Sequence, residues 1–238
     1  STEEIDLAKK FLNIHKWAGM AKFCKSGGEA CLVAIRIARA FSKKQNIAFC
    51  GYHGWHDWYL AANMQNSKNL DNQLLPGLST KGVSRTYSKT IKPFMYNNLN
   101  SFKKVVLNKK NNIGIVIMEP MRAVEPNKNF LKSIRSLTKK NNIILIFDET
   151  ITGFRFSLGG AQKLFNVIPD LTTLGKGLAN GYPLSAICGN KEIMNLMEEI
   201  FFSGTFNGET LSLAAAEKTI DFMLIGFSFS IILATDSQ

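Results

Sequence analysis

Two stretches, Ile113-Gly114-Ile115-Val116-Ile117-Met118 and Ile143-Ile144-Leu145-Ile146-Phe147, carry no polar side chain. Each ends in acid, Glu119 after the first and Asp148-Glu149 after the second. A strand with one face in water alternates apolar and polar residues, so an unbroken apolar run belongs to a sheet covered on both faces. Ile47-Ala48-Phe49-Cys50 has the same character, and Met20 to Cys24 is a shorter strand-like run. Helical spacing separates these runs. Thr2 caps a first helix with Ile5, Ala8, Leu12 and Ile14 on its apolar side; Ala30, Val33, Ala34, Ile37, Ala38 and Phe41 mark a second, and further helices run from Ser101 to Lys109 and from Asn127 to Lys139. Strands alternating with helices predict an α/β fold, a mostly parallel sheet covered by helices. At 238 residues, 45% of them hydrophobic, the chain has material for one large domain, or one plus part of another.

In sheets of this kind ligands sit beyond the carboxyl ends of the strands. Tyr52, Glu119, Asp148 and Lys176 fall at or just past such ends, so these side chains are expected to converge on one edge. Lys176 stands between Gly175 and Gly177. A lysine that loses its proton in a dry pocket becomes a nucleophile toward an aldehyde; the alternative is a solvated lysine in a glycine-rich turn. Lys25-Ser26-Gly27-Gly28-Glu29 closes a strand and opens a helix. Unpaired N–H groups and the helix dipole there suit an anion, and the Ser26 hydroxyl adds a donor, although the same residues also make a plain N-cap.

Tyr52, fenced by Gly51 and Gly54, is placed to lie flat on a planar ligand, with His53 beside it. His53, His56 and Asp57 raise the question of a metal. The His53-x-x-His56 spacing has no third ligand group elsewhere, so no metal site is expected. From Trp58 to Lys92 the pattern dissolves into polar residues broken by Pro76-Gly77 and Lys81-Gly82, which reads as a long loop, a lid over the pocket. An acid behind a buried strand is costly to ionise unless a cation meets it. Asp148 on a protonated pyridine nitrogen, Lys176 carrying an aldehyde carbon as an imine, Ser26, Gly27 and Gly28 on a phosphate and Tyr52 on the ring together meet the requirements of pyridoxal phosphate chemistry.

The net charge of +11 invites a nucleic-acid reading, but the basic residues are scattered in pairs such as Lys43-Lys44 and Lys139-Lys140, and no nucleic-acid motif accompanies them. The four cysteines lie far apart with no Cys-x-x-Cys pair, which suits buried thiols in a reducing compartment. Ser1-Thr2-Glu3-Glu4 has neither the basic region nor the apolar core of a secretory signal, so a cytoplasmic location is expected. The apolar run from Phe222 to Ala234 is shorter than the roughly 20 residues a spanning helix needs, so no membrane contact is expected.

Ser26-Gly27-Gly28-Glu29-Ala30, Tyr52-His53-Gly54, Phe147-Asp148-Glu149 with Thr152-Gly153-Phe154-Arg155, Gly175-Lys176-Gly177 and Gly204-Thr205-Phe206, in this order, resemble the class III aminotransferases, most closely the glutamate-1-semialdehyde aminomutase branch. The likeness runs from about Thr2 to Met223. It implies the aspartate-aminotransferase type fold (fold type I), pyridoxal 5′-phosphate as cofactor, a small amino or carbonyl substrate and a homodimer with active sites at its interface. Lys176 would be the Schiff-base lysine and the proton carrier, and Asp148 would pair with the pyridine nitrogen. Tyr52 would cover one ring face, Ser26 to Gly28 would hold the phosphate, and Thr205 would reach the phosphate in the partner subunit. Glu119 would stand in a supporting shell.

The chain departs from the family pattern at three places. Gly28 stands where many members have threonine, and Thr150 where an aliphatic residue commonly packs on the second ring face. Family members are longer on both sides, so residues 1–223 are expected to form the cofactor-binding large domain with the small domain largely missing. The tail 224–238 reads as the product of a truncation or a shifted frame, apolar enough to aggregate where exposed. The resemblance implies an aminotransferase moving an amino group from a donor to an aldehyde or keto acceptor. Two alternatives stay open: an aminomutase shifting the group within one substrate, and an inactive large-domain fragment.

Overall fold

The computed structural model describes the backbone of residues 1–235 and the side chains of residues 1–226. Helix α1 (Thr2–Ile14) leads into strand β1 (Met20–Cys24), and α2 (Gly27–Ser42) into β2 (Asn46–Cys50). After the short α3 (Asp57–Leu60) come β3 (Ile91–Pro93), α4 (Leu99–Val106), β4 (Ile113–Met118), α5 (Phe130–Lys140) and β5 (Ile144–Glu149). The chain continues through α6 (Gly160–Leu164), β6 (Leu171–Leu174), β7 (Ser185–Gly189), α7 (Lys191–Met194) and α8 (Thr210–Thr235).

The strands form one seven-stranded sheet in the order β1-β7-β6-β5-β4-β2-β3. Strands β3, β2, β4, β5 and β6 are parallel, and β7 runs against both of its neighbours, β6 and β1. Every residue of β4 and β5 is buried. Because side chains alternate across a strand, Ile115 and Ile117 join one core with Ala30, Ala34 and Ile37 of α2 and Ile146 of β5, while Val116 and Met118 join another with Phe102 of α4 and Ile134 of α5. Each isoleucine wholly withdrawn from water contributes on the order of 2 kcal/mol. A third cluster packs Leu7 and Phe11 of α1 and Leu213 and Ile220 of α8 on the β6–β7–β1 side through Leu174, Ala186 and Phe23.

Local chemistry moves several expected boundaries. Ser1 rather than Thr2 caps α1, its Oγ accepting from Glu4 N at 3.3 Å. Helix α4 starts before Ser101 because Asn98 caps it, accepting from Ser101 N at 2.8 Å, and Asn108 accepts from Lys110 N to begin a separate 3-10 turn. Asn129, left-handed at φ 67°, delays the start of α5 to Phe130.

In segment 58–92, expected as a loop over the pocket, the chain turns inward in part, while most of residues 74–90 stay at the surface. Trp58, Tyr59, Ala61, Ala62 and Leu70 are buried in the core on the α2 side. Its backbone is held by buried amides: Gln73 accepts from Gly51 N at 2.7 Å and donates to Phe94 O at 3.1 Å, and Asn63 accepts from Leu70 N at 2.9 Å. The expected tail, 224–238, is helical through Thr235 in α8, and its side chains beyond 226 lie outside the described residues. Among the described residues no helix is long and apolar enough to cross a membrane.

Where β5 ends, the buried Glu149 carboxylate accepts from Thr152 Oγ1 at 2.8 Å, Ala161 N at 2.5 Å and Gln162 N at 3.0 Å, tying the Glu149–Thr152 turn to the start of α6. Gly160 has φ 73°, and a Cβ there would run into that carboxylate. Gly160→Ala is therefore expected to destabilise the fold by about 2–3 kcal/mol, through backbone strain and displacement of Glu149, as read from chemical denaturation midpoints. An unchanged midpoint would show that the Glu149 cap tolerates displacement.

Candidate active site

Beyond the carboxyl ends of β2, β4, β5 and β6 lies a cavity of about 620 Å³. Ser26, Gly27, Gly28, Tyr52, His53, Glu119, Asp148, Thr150 and Lys176 all line it, so the expected convergence holds in space. Thr205 does not: it lies exposed in the turn before α8, away from the cavity lining.

One wall is the N-terminus of α2. Ser26 caps the helix, its Oγ accepting from Glu29 N at 3.2 Å, and Glu29 reaches back to accept from Lys25 N at 2.8 Å. The hydroxyl proton of Ser26 stays available to a ligand. The backbone N–H groups of Gly27 and Gly28 have no acceptor among the described residues and face the positive end of a 16-residue helix dipole. Space is tight here. A Cβ on Gly27 would stand 2.5 Å from Thr150 Cγ2, and one on Gly54 would lie 2.7 Å from Gly28 Cα, whereas one on Gly28 would meet His56 Cε1 at 3.2 Å.

The floor is Asp148, the penultimate residue of β5, 5% exposed. Its Oδ1 accepts from Thr150 N at 3.0 Å, Thr150 Oγ1 at 2.6 Å and Thr173 Oγ1 at 3.2 Å. Its Oδ2 lies 2.8 Å from His53 Nδ1 and accepts from Cys31 Sγ at 3.3 Å. Burial alone would raise the Asp148 pKa, but the hydrogen bond and charge of His53, with the Thr150 hydrogen bonds, outweigh it and hold the carboxyl below its ordinary value. An ionised carboxylate only accepts, so His53 carries its proton on Nδ1. His53 Nε2 has no hydrogen-bond partner among the described residues.

Lys176 follows β6 in a short 3-10 turn, Lys176–Leu178. It sits at φ 41°, a left-handed conformation uncommon for a non-glycine residue and a form of strain that clusters at functional sites. Its side chain is exposed on the cavity rather than enclosed in a dry pocket. It has no hydrogen-bond or ion-pair partner among the described residues. The other lysine of the cavity, Lys25, is tied to Glu209 Oε1 at 2.8 Å and Ser212 Oγ at 3.3 Å.

Glu119, 9% exposed, accepts from Tyr52 N at 3.3 Å and meets Arg122 Nε at 3.1 Å, so it holds the backbone of the tyrosine from behind. Burial raises its pKa, opposed by the charges of His53 and Arg122. Thr150 turns its hydroxyl to Asp148 and leaves Cγ2 toward Gly27 and Gly175.

Two groups around Asp148 escape a reading of the sequence. Cys31 looks like one more apolar residue on the inner face of α2, and Thr173 like a neutral position in a strand. The β5–β6 register, Asp148 opposite Thr173, brings the hydroxyl to the carboxylate. Cys31 also corrects the expectation that no third metal-ligating group exists: Cys31, His53 and Asp148 offer ligand atoms within 4.8 Å of one another. Within that cluster His53 and Cys31 both hydrogen-bond the same Asp148 oxygen, so the three groups satisfy one another through protons.

The match over residues 1–226 is to the Aminotransferase class-III family. The glutamate-1-semialdehyde 2,1-aminomutase of Ignicoccus hospitalis is 36% identical over 237 residues, covering 96% of this chain and 55% of the relative. The 3-aminobutyryl-CoA aminotransferase of Cloacimonas acidaminovorans is 36% identical over 224 residues, covering 91% and 50%. An omega-transaminase from Sphaerobacter thermophilus superposes with a TM-score of 0.81 at 26% identity, over 93% of this chain and 53% of that one. The chain thus spans about half the length of the curated relatives it matches. With the sheet order, the strand-end cavity and this match over residues 1–226, the chain belongs to the class-III aminotransferase family.

Proposed function

We propose that the cavity holds pyridoxal 5′-phosphate and serves transfer of an amino group between an amino donor and an aldehyde or keto acceptor. The observation that carries this reading is the pairing, across one cavity, of an unpartnered amine at Lys176 with the carboxylate of Asp148, beside two unpaired N–H groups at the start of α2. A free amine, a retained anion and an anion-binding helix end fit the aldehyde, ring nitrogen and phosphate of that cofactor, and family membership supports the same assignment.

Bound there, the cofactor supplies an aldehyde that takes up amino groups and a ring that draws electrons from the attached carbon. Gly27 and Gly28 N–H and the Ser26 hydroxyl would hold the phosphate. Asp148 would accept from the protonated ring nitrogen, its charge maintained by His53, Thr150 and Thr173. Tyr52 would lie on one ring face and the Thr150 methyl on the other. Lys176 Nζ would be the amine that meets the aldehyde, and as a free amine it would take and return the proton that moves at the substrate carbon. Glu119 keeps Tyr52 in place through the backbone.

The exposed apolar rim, Trp55, Ile151 and Tyr182, and the exposed position of Thr205 support a homodimer in which Thr205 reaches the partner's phosphate. Buried free thiols support a reducing, cytoplasmic setting. The test is titration with pyridoxal phosphate, borohydride reduction and peptide mass mapping. A fixed adduct on Lys176 supports the reading, and a folded protein without one supports the inert-fragment alternative.

The aminomutase reading is favoured by the Ignicoccus hospitalis relative. An amino aldehyde supplied with no keto acceptor decides between the two, since sustained turnover then requires intramolecular transfer. Arg155 points to the substrate class. Arg36 donates to Phe201 O and Arg122 is bound to Glu119 and to Gln73 O, whereas Arg155 lines the cavity with no side-chain partner among the described residues. A carboxylate-bearing substrate suits it. Arg155→Met is expected to raise KM for such a substrate by about 10- to 100-fold while leaving an uncharged amine unaffected. Equal effects on both would remove Arg155 from recognition.

A further inference from the structure

Asp148 is approached from the core side as well as from the cavity. Cys31 lies in the first turns of α2, wholly buried, with Sγ 3.3 Å from Asp148 Oδ2 and 3.5 Å from Thr173 Oγ1. We propose that Cys31 is a positioning residue: its thiol donates to Asp148 Oδ2 and, with Thr173, fixes the carboxylate's orientation and keeps its charge available to the cavity. The proposal rests on the cofactor reading above. The geometry supports a donor role in particular. An ionised carboxylate has only lone pairs to offer, and burial pushes the Cys31 pKa well above its ordinary value, so the sulfur keeps its proton.

The contact also links two parts of the cavity. Cys31 is four residues beyond Gly27, on the helix whose N-terminus presents the unpaired N–H groups. The thiol therefore ties the α2 end of the site to the floor, so that the proposed phosphate and ring-nitrogen positions keep a fixed separation. Thr173 makes the corresponding tie from β6 to Oδ1.

Three variants separate a donor from a space-filler. Cys31→Ser keeps a donor, Cys31→Val fills the volume without one, and Cys31→Ala removes both. Two readouts are needed. In the protein without added cofactor, the infrared S–H stretch assigned to Cys31 by difference against Cys31→Ser is expected at the low frequency of a hydrogen-bonded thiol, and to rise in Asp148→Asn. With pyridoxal phosphate, Cys31→Val is expected to weaken binding by about fivefold and to move the pH at which the visible band titrates, whereas Cys31→Ser stays within about twofold of wild type. A free S–H frequency overturns the proposal whatever the cofactor does. A hydrogen-bonded thiol with Val and Ser variants alike in affinity and titration overturns the positioning role and leaves the cofactor reading standing. A wild-type protein showing no Lys176-dependent band overturns the functional reading, and the positioning role falls with it.

Discussion

Lys176→Ala is expected to lower turnover on the order of 10⁴-fold and to abolish the borohydride-fixed adduct. The size of the loss follows from the lack of a substitute. Lys25, the other lysine on the cavity, is engaged by Glu209 and Ser212, so no second unpartnered lysine is available to the same space. The fold itself should not suffer. The Lys176 side chain is exposed and makes no hydrogen bond or ion pair among the described residues, and its backbone sits in the left-handed region at φ 41°. Lys176→Gly should even stabilise the chain by about 1 kcal/mol, because glycine adopts that conformation without the cost a side chain imposes. Lost chemistry with unchanged or higher stability is the signature of strain held for function. A Lys176→Ala protein that kept its adduct, or turned over within tenfold of wild type, would falsify the assignment.

The centre of the sheet was legible because β4 and the Ile144–Phe147 part of β5 contain no polar side chain, which points to burial between two helical layers. The direction of β7 was not. Ser185-Ala186-Ile187-Cys188-Gly189 is composed like a parallel buried strand, and only its pairing, Leu171 opposite Gly189 through Leu174 opposite Ala186, reveals the reversal. In segment 58–92 the buried Trp58, Tyr59, Ala61 and Ala62 lie in α3 and the 3-10 turn that follows it, too short a stretch to stand out as a period among the polar residues around it.

The site was legible where chemistry coincided with a strand end or a glycine turn, as at Ser26 to Gly28, Tyr52, Asp148 and Lys176. It was illegible where a side chain acts from inside an element. Cys31 and Thr173 are chemically unremarkable in sequence and acquire a role only through the α2 packing and the Asp148–Thr173 register. The directions of the arginine side chains cannot be read from sequence. Those are set by Phe201 O for Arg36 and by Glu119 for Arg122, leaving Arg155 to the cavity.

Asp148→Asn should cost about 3 kcal/mol of stability near neutral pH and weaken pyridoxal phosphate binding by about 10²-fold or more. Asp148 accepts hydrogen bonds from Thr150, Thr173, Cys31 and His53, and an amide of the same shape must turn its NH2 group either toward the Thr150 backbone N–H, which cannot accept, or toward the Nδ1–H of His53, so at least one of these bonds is lost. The ring-nitrogen position loses its anion at the same time. The pH dependence separates this from general damage. The folded pKa of Asp148 is held below the model-compound value of 3.8, so its stabilising contribution is present above that value and is lost as pH falls through the folded pKa. Glu149, the next residue, behaves oppositely: burial raises its folded pKa above 4.5, despite the hydrogen bonds from Gln162, Thr152 and Ala161, so its contribution is fully present below 4.5 and is lost as pH rises through the folded value. Denaturation curves of wild type and Asp148→Asn, taken from pH 7 to about pH 3, should therefore differ by a constant amount down to about pH 5 and then converge. Glu149 cancels from that comparison because both proteins retain it. A gap that stays constant to the lowest pH would mean that Asp148 supports the fold through shape alone, and the anionic floor on which the proposed chemistry depends would be gone.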